Sequence, residues 1–200
     1  MTPVQDKKSR SSARWKQEQW VEFGIRRLAR HGPSALTVDR LCESAKLTKG
    51  SFYHHFPSVD VFLLAIGTRW RETETDAIAK DALACTAAAE SLKKLSSLSD
   101  TVDHRLELGV RTLAAGNRKL RDMVHKTDSA REAIIATLLQ RAYGLGSDEA
   151  ASAARLFHSL HLAALLRAPS DVGNFSRASA RFLTERLKSA PTRRRSRRTA

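Results

Sequence analysis

The residues with the most chemical character in this 200-residue chain stand together in TKGSFYHHF, residues 48–56. Lys49, Ser51, Tyr53, His54 and His55 supply hydrogen-bond donors and one aromatic ring, with no acid among them. Phe52 and Phe56 are four apart and share the opposite, buried side of a helix. A short helix with that exposed face suits a surface lined with phosphate, because backbone contacts come from Lys, Ser and Tyr side chains and from helix N-termini. Other candidates offer less. His158 and His161 are three apart, a spacing that can hold a metal, but no third ligand is near and their neighbours are apolar, so they read as core or interface residues. His54 and His55 are adjacent and point to different sides of a helix. The sequence has no phosphate-binding glycine loop, no nucleophile elbow and no cysteine cluster. The acids in the middle of the chain are scattered among bases, as on a solvated helical face. No catalytic residue, metal site or cofactor is expected, and the chain does not read as an enzyme.

The elements that must position the 48–56 face run from Leu36 to Ile66. Thr37 is a good N-cap, and Val38, Leu41, Cys42 and Ala45 follow it at helical spacing. Thr48 caps the second short helix, and Pro57 stops it by pushing the preceding residue out of the helical region. Ser58 caps a longer helix with Asp60 in its first turn, where the helix dipole favours a negative charge. Two helices joined by a brief turn, the second exposed and polar, make a helix-turn-helix. A first helix from about Arg14 to His31, ended by Gly32 and Pro33, gives them a surface through Trp20, Val21, Gly24, Ile25 and Leu28. Cys42 falls on an inner face, where a free thiol behaves as a small hydrophobe. The helix from Ser58 carries Val59, Phe62, Leu63, Ile66 and Trp70 on one face and leads away from the reading helix. It reads either as a mechanical link or as a rigid spacer.

The stretch LTVDRLCESAKLTKGSFYHHFPSVDVFLLAI resembles the DNA-binding region of the TetR (tetracycline repressor) family of transcriptional regulators, most specifically in TKGSFYHHFPS followed by an apolar helix. Residues 14–66 resemble the family's N-terminal three-helix domain; the remainder is similar in helical character and length. The resemblance implies that Thr48, Lys49, Ser51, Tyr53 and His54 face DNA and that Thr37 meets a phosphate. Lys49, Thr48 and Tyr53 would mainly anchor phosphates, with Ser51 and His54 nearest the base edges. Lys46 stands where many members have a turn glycine, so a left-handed residue there would carry strain on the order of 1–3 kcal/mol. Val59 stands where many members place a phosphate-binding lysine, so that contact is missing.

Composition supports a polyanionic partner. The net charge of +14 is uneven: residues 1–56 hold 11 Lys/Arg against 5 Asp/Glu, and residues 189–200 hold 5 Arg and no acid. Nucleic acid stands ahead of a membrane surface, because no strongly apolar helix face accompanies the charge; solubility alone is the plainer reading. Glycine and proline are sparse, at 9 and 5, so an all-helical chain is expected. No apolar run approaches the roughly 18 residues of a membrane span, and the first residues lack the apolar core of a secretory signal. Only Cys42 and Cys85 are present, which fits a reducing cytoplasm.

The expected organisation is a basic arm over 1–13, a helix-turn-helix domain over 14–57, a helical regulatory and dimerisation domain over 58–188 and a basic tail over 189–200. Lys7, Lys8 and Arg10 of the arm, with Arg14 just after it, are placed to reach a phosphate or a minor groove, or the arm is an unstructured leader. The Arg-rich tail either adds non-specific phosphate affinity or is merely solvated. Residues 71–103 should form helices on both sides of a break at 96–100. Further helices are expected at 104–116, 118–126, 128–143, 148–168 and 174–188, with Gly144 and Gly146 ending the third run and Ser147 capping the next. In 148–168, Ala153, Phe157, Leu160, His161 and Ala164 share one side; in 174–188, Phe175, Ala178 and Phe182 do. These two helices either finish the monomer core or pair with the same two in a second chain across an isologous face. The resemblance favours the homodimer. It also implies a small-molecule cavity between the helices of 58–168 and a repressor released from a palindromic double-stranded operator. An architectural or nucleoid-associated DNA binder with no small ligand is the alternative.

Overall fold

The computed structural model describes residues 15–99, 101–167 and 171–189, and all regular structure among them is helical. The arm and the Arg-rich tail lie outside the described residues. Helix α1, Gln17–His31, starts a few residues later than Arg14 and ends at Gly32, whose φ of 72° suits glycine and whose amide bonds the Leu28 carbonyl. A 3₁₀ turn, Pro33–Leu36, leads into α2, Val38–Ala45, and α3, Lys49–His55. Each short helix is held open by its cap: Thr37 Oγ1 accepts from the Arg40 amide at 3.4 Å and Thr48 Oγ1 from the Ser51 amide at 3.2 Å. Helix α4, Val59–Arg71, begins with Ser58 Oγ accepting from the Val61 amide.

One core holds these helices together. Trp20, Leu28, Leu41, Phe52, Phe56, Phe62, Ile66 and Trp70 are almost wholly buried, and Leu106, Val110, Leu120 and Val124 continue the same cluster into the next part of the chain. Burying one such side chain stabilises the fold by about 1.5–3 kcal/mol. Helix α4 therefore belongs to the head and to the body at once. Its crossing with α1 is close: a Cβ on Gly24 would lie 2.5 Å from Phe62 Cζ.

Helix α4 does not stop at Arg71. It runs through a π-helical turn, Glu72–Asp76, in which the Ala77 amide reaches back to the Glu72 carbonyl, and into α5, Ala77–Leu83. Then follow α6, Ala88–Ser99, α7, His104–Gly116, α8, Arg118–Tyr143, α9, Ser147–Arg167, and α10, Val172–Ser189. Helix α7 packs back on α1, where a Cβ on Gly109 would meet Leu28 Cγ at 2.7 Å.

Three sequence expectations need correction. The chain leaves the helix between α5 and α6, near Cys85, and residues 96–99 stay helical; Ser97 Oγ donates to the Lys94 carbonyl, which suits a serine inside a helix. The pieces expected at 118–126 and 128–143 are one helix, because buried Thr127 turns its hydroxyl onto the Met123 carbonyl instead of interrupting the run. The first turn of α9 closes from the Gly146 carbonyl to the Ala150 amide, one residue before Ser147.

Candidate nucleic-acid interface and internal cavity

Helix α3 is fastened from beneath by its two phenylalanines. Phe52 and Phe56 are completely buried, and Phe52 meets Trp20 and Phe62 edge-on with ring centroids 5.4 and 5.2 Å apart. The outer side is thereby fixed. Thr37, Thr48, Lys49, Tyr53 and His54 are exposed and Ser51 is half-buried. Tyr53 keeps 49 % of its surface while its ring leans on Phe52. Lys49 is held by an ion pair with Asp39 of α2, whose hydrogen bond raises the lysine pKa. The turn between α2 and α3 passes through Lys46 at φ 55°, ψ 39°, a left-handed residue other than glycine. His55 departs from the expected exposed face: its Nε2 meets the Trp15 carbonyl at 2.7 Å, tying the end of α3 to the residues before α1.

The body holds an open-sided cavity of about 660 Å³ between α5, α6, α7, α8, α9 and α10. Ile78, Leu92, Ile134, Ile135, Leu139 and Phe157 supply apolar wall, while Glu107, Arg131, His104, His158 and His161 bring polar groups to it. Behind that polar part lies a buried network. Glu107 Oε1 accepts from Arg111 Nε at 2.7 Å and Arg131 Nη1 at 3.0 Å; Oε2 accepts from Trp70 Nε1 at 2.9 Å and Arg131 Nη2 at 3.1 Å. Arg111 grips Asp128 with both terminal nitrogens, at 3.0 and 2.6 Å, and Asp128 also meets His158 Nε2 at 3.0 Å. Arg131 donates to Thr75 Oγ1 at 2.8 Å and to the Glu74 carbonyl at 3.4 Å, and its guanidinium sits 5.1 Å from the Trp70 ring centroid.

The titrations follow from this arrangement. Burial pushes the Glu107 carboxyl up, but Arg131 and Arg111 outweigh it and leave the group below its ordinary value. Asp128 is likewise lowered, with His158 and Arg111 overcoming burial. Burial pushes His161 down to about 4. The acids and bases here are therefore not a solvated helical face, as the sequence suggested. Glu107–Arg111 at i,i+4 was the available signal, but that spacing is equally common on surfaces. His158 belongs to the Asp128 network, and no cluster of three metal-ligating side chains occurs among the described residues.

The residues expected at a dimer face divide. Phe157 and His161 line the internal cavity, and Ala164 is buried against Leu165 and Val172 inside the protomer. Ala153 and Leu160 are half-buried, while Phe175, Ala178 and Phe182 are exposed. The outward side of α9 also carries Leu156 at 48 % and Leu166 at 74 % exposure, which the sequence reading passed over.

The described residues thus form a helix-turn-helix head on a helical body. Residues 24–66 match the family model of bacterial regulatory proteins, tetR family. No curated protein matches the sequence. Among solved structures, a transcriptional regulator of the TetR family from Agrobacterium tumefaciens superposes with a TM-score of 0.67 at 15 % identity, covering 85 % of this chain and 98 % of that one. A protein from Saccharomonospora viridis, described as a transcriptional regulator in complex with choline, gives 0.71 at 19 % identity over 84 % and 95 %. The multidrug binding protein EbrR complexed with imidazole gives 0.60 at 17 % over 90 % and 98 %. At these identities the likeness establishes the fold. The family match covers residues 24–66, the part of the chain that holds the helix-turn-helix, and makes that part similar to the bacterial regulatory proteins of the tetR family. No helix among the described residues is long and apolar enough to cross a membrane.

Proposed function

We infer that this protein is a cytoplasmic, homodimeric repressor that leaves a palindromic operator when a small molecule fills the cavity behind α4. The carrying observation is the coexistence, on one continuous core, of an outward-facing α3 and a 660 Å³ cavity whose wall reaches α4 through Trp70 and Glu107. A cavity of that size suits a drug-sized ligand, which favours a ligand-responsive regulator over an architectural DNA binder. The solved relatives holding choline and imidazole add support for a ligand site in this fold. Thr37, Thr48, Lys49 and Tyr53 take phosphates, and Ser51 and His54 face the base edges. The dimer forms through the outer sides of α9 and α10, with Leu156, Leu160, Leu166, Phe175 and Phe182 as its apolar centre. A ligand shifts the balance only by binding the released state better.

The experiment is salt-titrated fluorescence anisotropy on duplexes flanking the gene, with sedimentation of the free protein. A dimer with submicromolar affinity for a palindromic fragment is expected, and Phe182→Arg should sediment as a monomer with weakened operator binding. No affinity for any fragment in dilute salt would refute the reading.

A further inference from the structure

We propose that the cavity takes an amphipathic carboxylate, whose head group binds Arg131 in competition with Glu107 while its apolar tail lies against α6 and α8. The inference rests on the reading of this cavity as the effector site, and names the chemistry of the effector.

The hydrogen-bond inventory points to an anion. Glu107 already accepts four hydrogen bonds, from Arg111, Trp70 and twice from Arg131, so its lone pairs are filled. It offers nothing to a cationic ligand. Arg131 has five N–H groups, and its contacts with Thr75, Glu107 and the Glu74 carbonyl use four, leaving one Nη1 hydrogen without an acceptor among the described residues. His104 Nδ1, also at the cavity, is buried and has no hydrogen-bond partner among the described residues. The Trp70 face that a quaternary ammonium would seek is covered by Arg131. Lys93, Arg177 and Arg181 also reach the lining, against Glu74 as the acid besides Glu107. A planar monoanion matches a guanidinium fork.

Arg131 also gives the ligand a lever. The same guanidinium holds the Thr75 hydroxyl and the Glu74 carbonyl of the π-turn that prolongs α4. A carboxylate that draws Arg131 inward loosens that turn and the Trp70–Glu107 link. Both attachments end on the helix that leads to the reading head, so the two states differ in contacts the ligand itself changes.

The test uses three probes with one tail and different heads: decanoate, decanol and decyltrimethylammonium. Each is titrated calorimetrically into the full-length protein below its micelle-forming concentration. Decanoate should bind about tenfold or more tighter than decanol, with decyltrimethylammonium weakest. Glu107→Gln removes the competitor for Arg131, so decanoate affinity should rise about tenfold while decanol affinity stays unchanged. Equal or tighter binding of decanol or the ammonium probe overturns the carboxylate assignment. So does binding of no probe, or decanoate affinity that is unchanged or weaker in a folded Glu107→Gln. The wild-type head-group series decides the matter if that variant does not fold. Operator affinity of the unliganded protein is read separately by anisotropy. Its loss would count against the repressor reading, whereas decanol or ammonium binding that releases DNA would retain that reading and discard only the carboxylate.

Discussion

The head and the body of this chain are stabilised by opposite kinds of interior. The head is closed by aromatic edges: Phe52, Phe56 and Phe62 pack with centroids 4.9–5.3 Å apart, and Trp20 joins them. The body sets Glu107 and Arg131 at the wall of a hollow, backed by Arg111 and Asp128, charges held by one another. A dry aromatic core has one good packing, which suits a reading helix that must be presented in one orientation. A polar network beside a cavity can exchange partners with a ligand, which is what the proposed ligand response requires. Helix α4 carries both characters, with Phe62 in the first interior and Trp70 contacting the second.

Truncation should separate the two interiors most strongly. Phe52→Ala is expected to cost about 3–5 kcal/mol in urea unfolding, because the vacated space has no relief. Ile135→Ala should cost less than about 2 kcal/mol, since its side chain borders a hollow that already exists. Equal losses would erase the distinction.

Acid should act on the body next. The folded-state pKa of His161 is about 4, below the ordinary 6.5. Its contribution is therefore present above pH 6.5 and is lost as pH falls towards 4, amounting to about 3 kcal/mol at most. Glu107, Arg131, His104 and His158 all act on this ring, and Ser176 Oγ lies 3.3 Å from its Nδ1. His161→Asn should flatten the change in urea midpoint between pH 7 and pH 4.5. Glu107 and Asp128, also lowered, extend the wild-type loss to more acid conditions. A midpoint in His161→Asn that still falls as steeply as wild type would place the sensitivity elsewhere.

The smallest effect is expected on the outside of the head. Lys49→Ala should leave the melting temperature unchanged, because the Asp39 pair is exposed. It should weaken DNA binding across sequences and make the salt slope shallower by about one unit. An unaltered slope would remove Lys49 from the phosphate contacts.

The head was legible in the sequence because its determinants are local. Thr48 and Ser58 cap, Phe52 and Phe56 repeat at helical spacing, and Pro57 stops the helix, each within a few residues. Lys46, which the family resemblance marks only as a turn position, is left-handed. The body's polar network was not legible, because Arg131 meets Thr75 and Glu107 across three elements and long stretches of chain. Seen singly, these charges look like surface pairs. In α9 the difficulty was rotational: apolar residues occur on both sides, so sequence could not choose between Phe157, which lines the cavity, and Leu156, which faces outward.

The central claim is that two copies of α3 engage one duplex with two-fold symmetry. Hydroxyl-radical footprinting on DNA flanking the gene tests it most directly. Two protected patches related by a dyad are expected, their centres about 34–36 Å or a multiple of that apart. Uniform coverage without a dyad, or no protection in dilute salt, would contradict it.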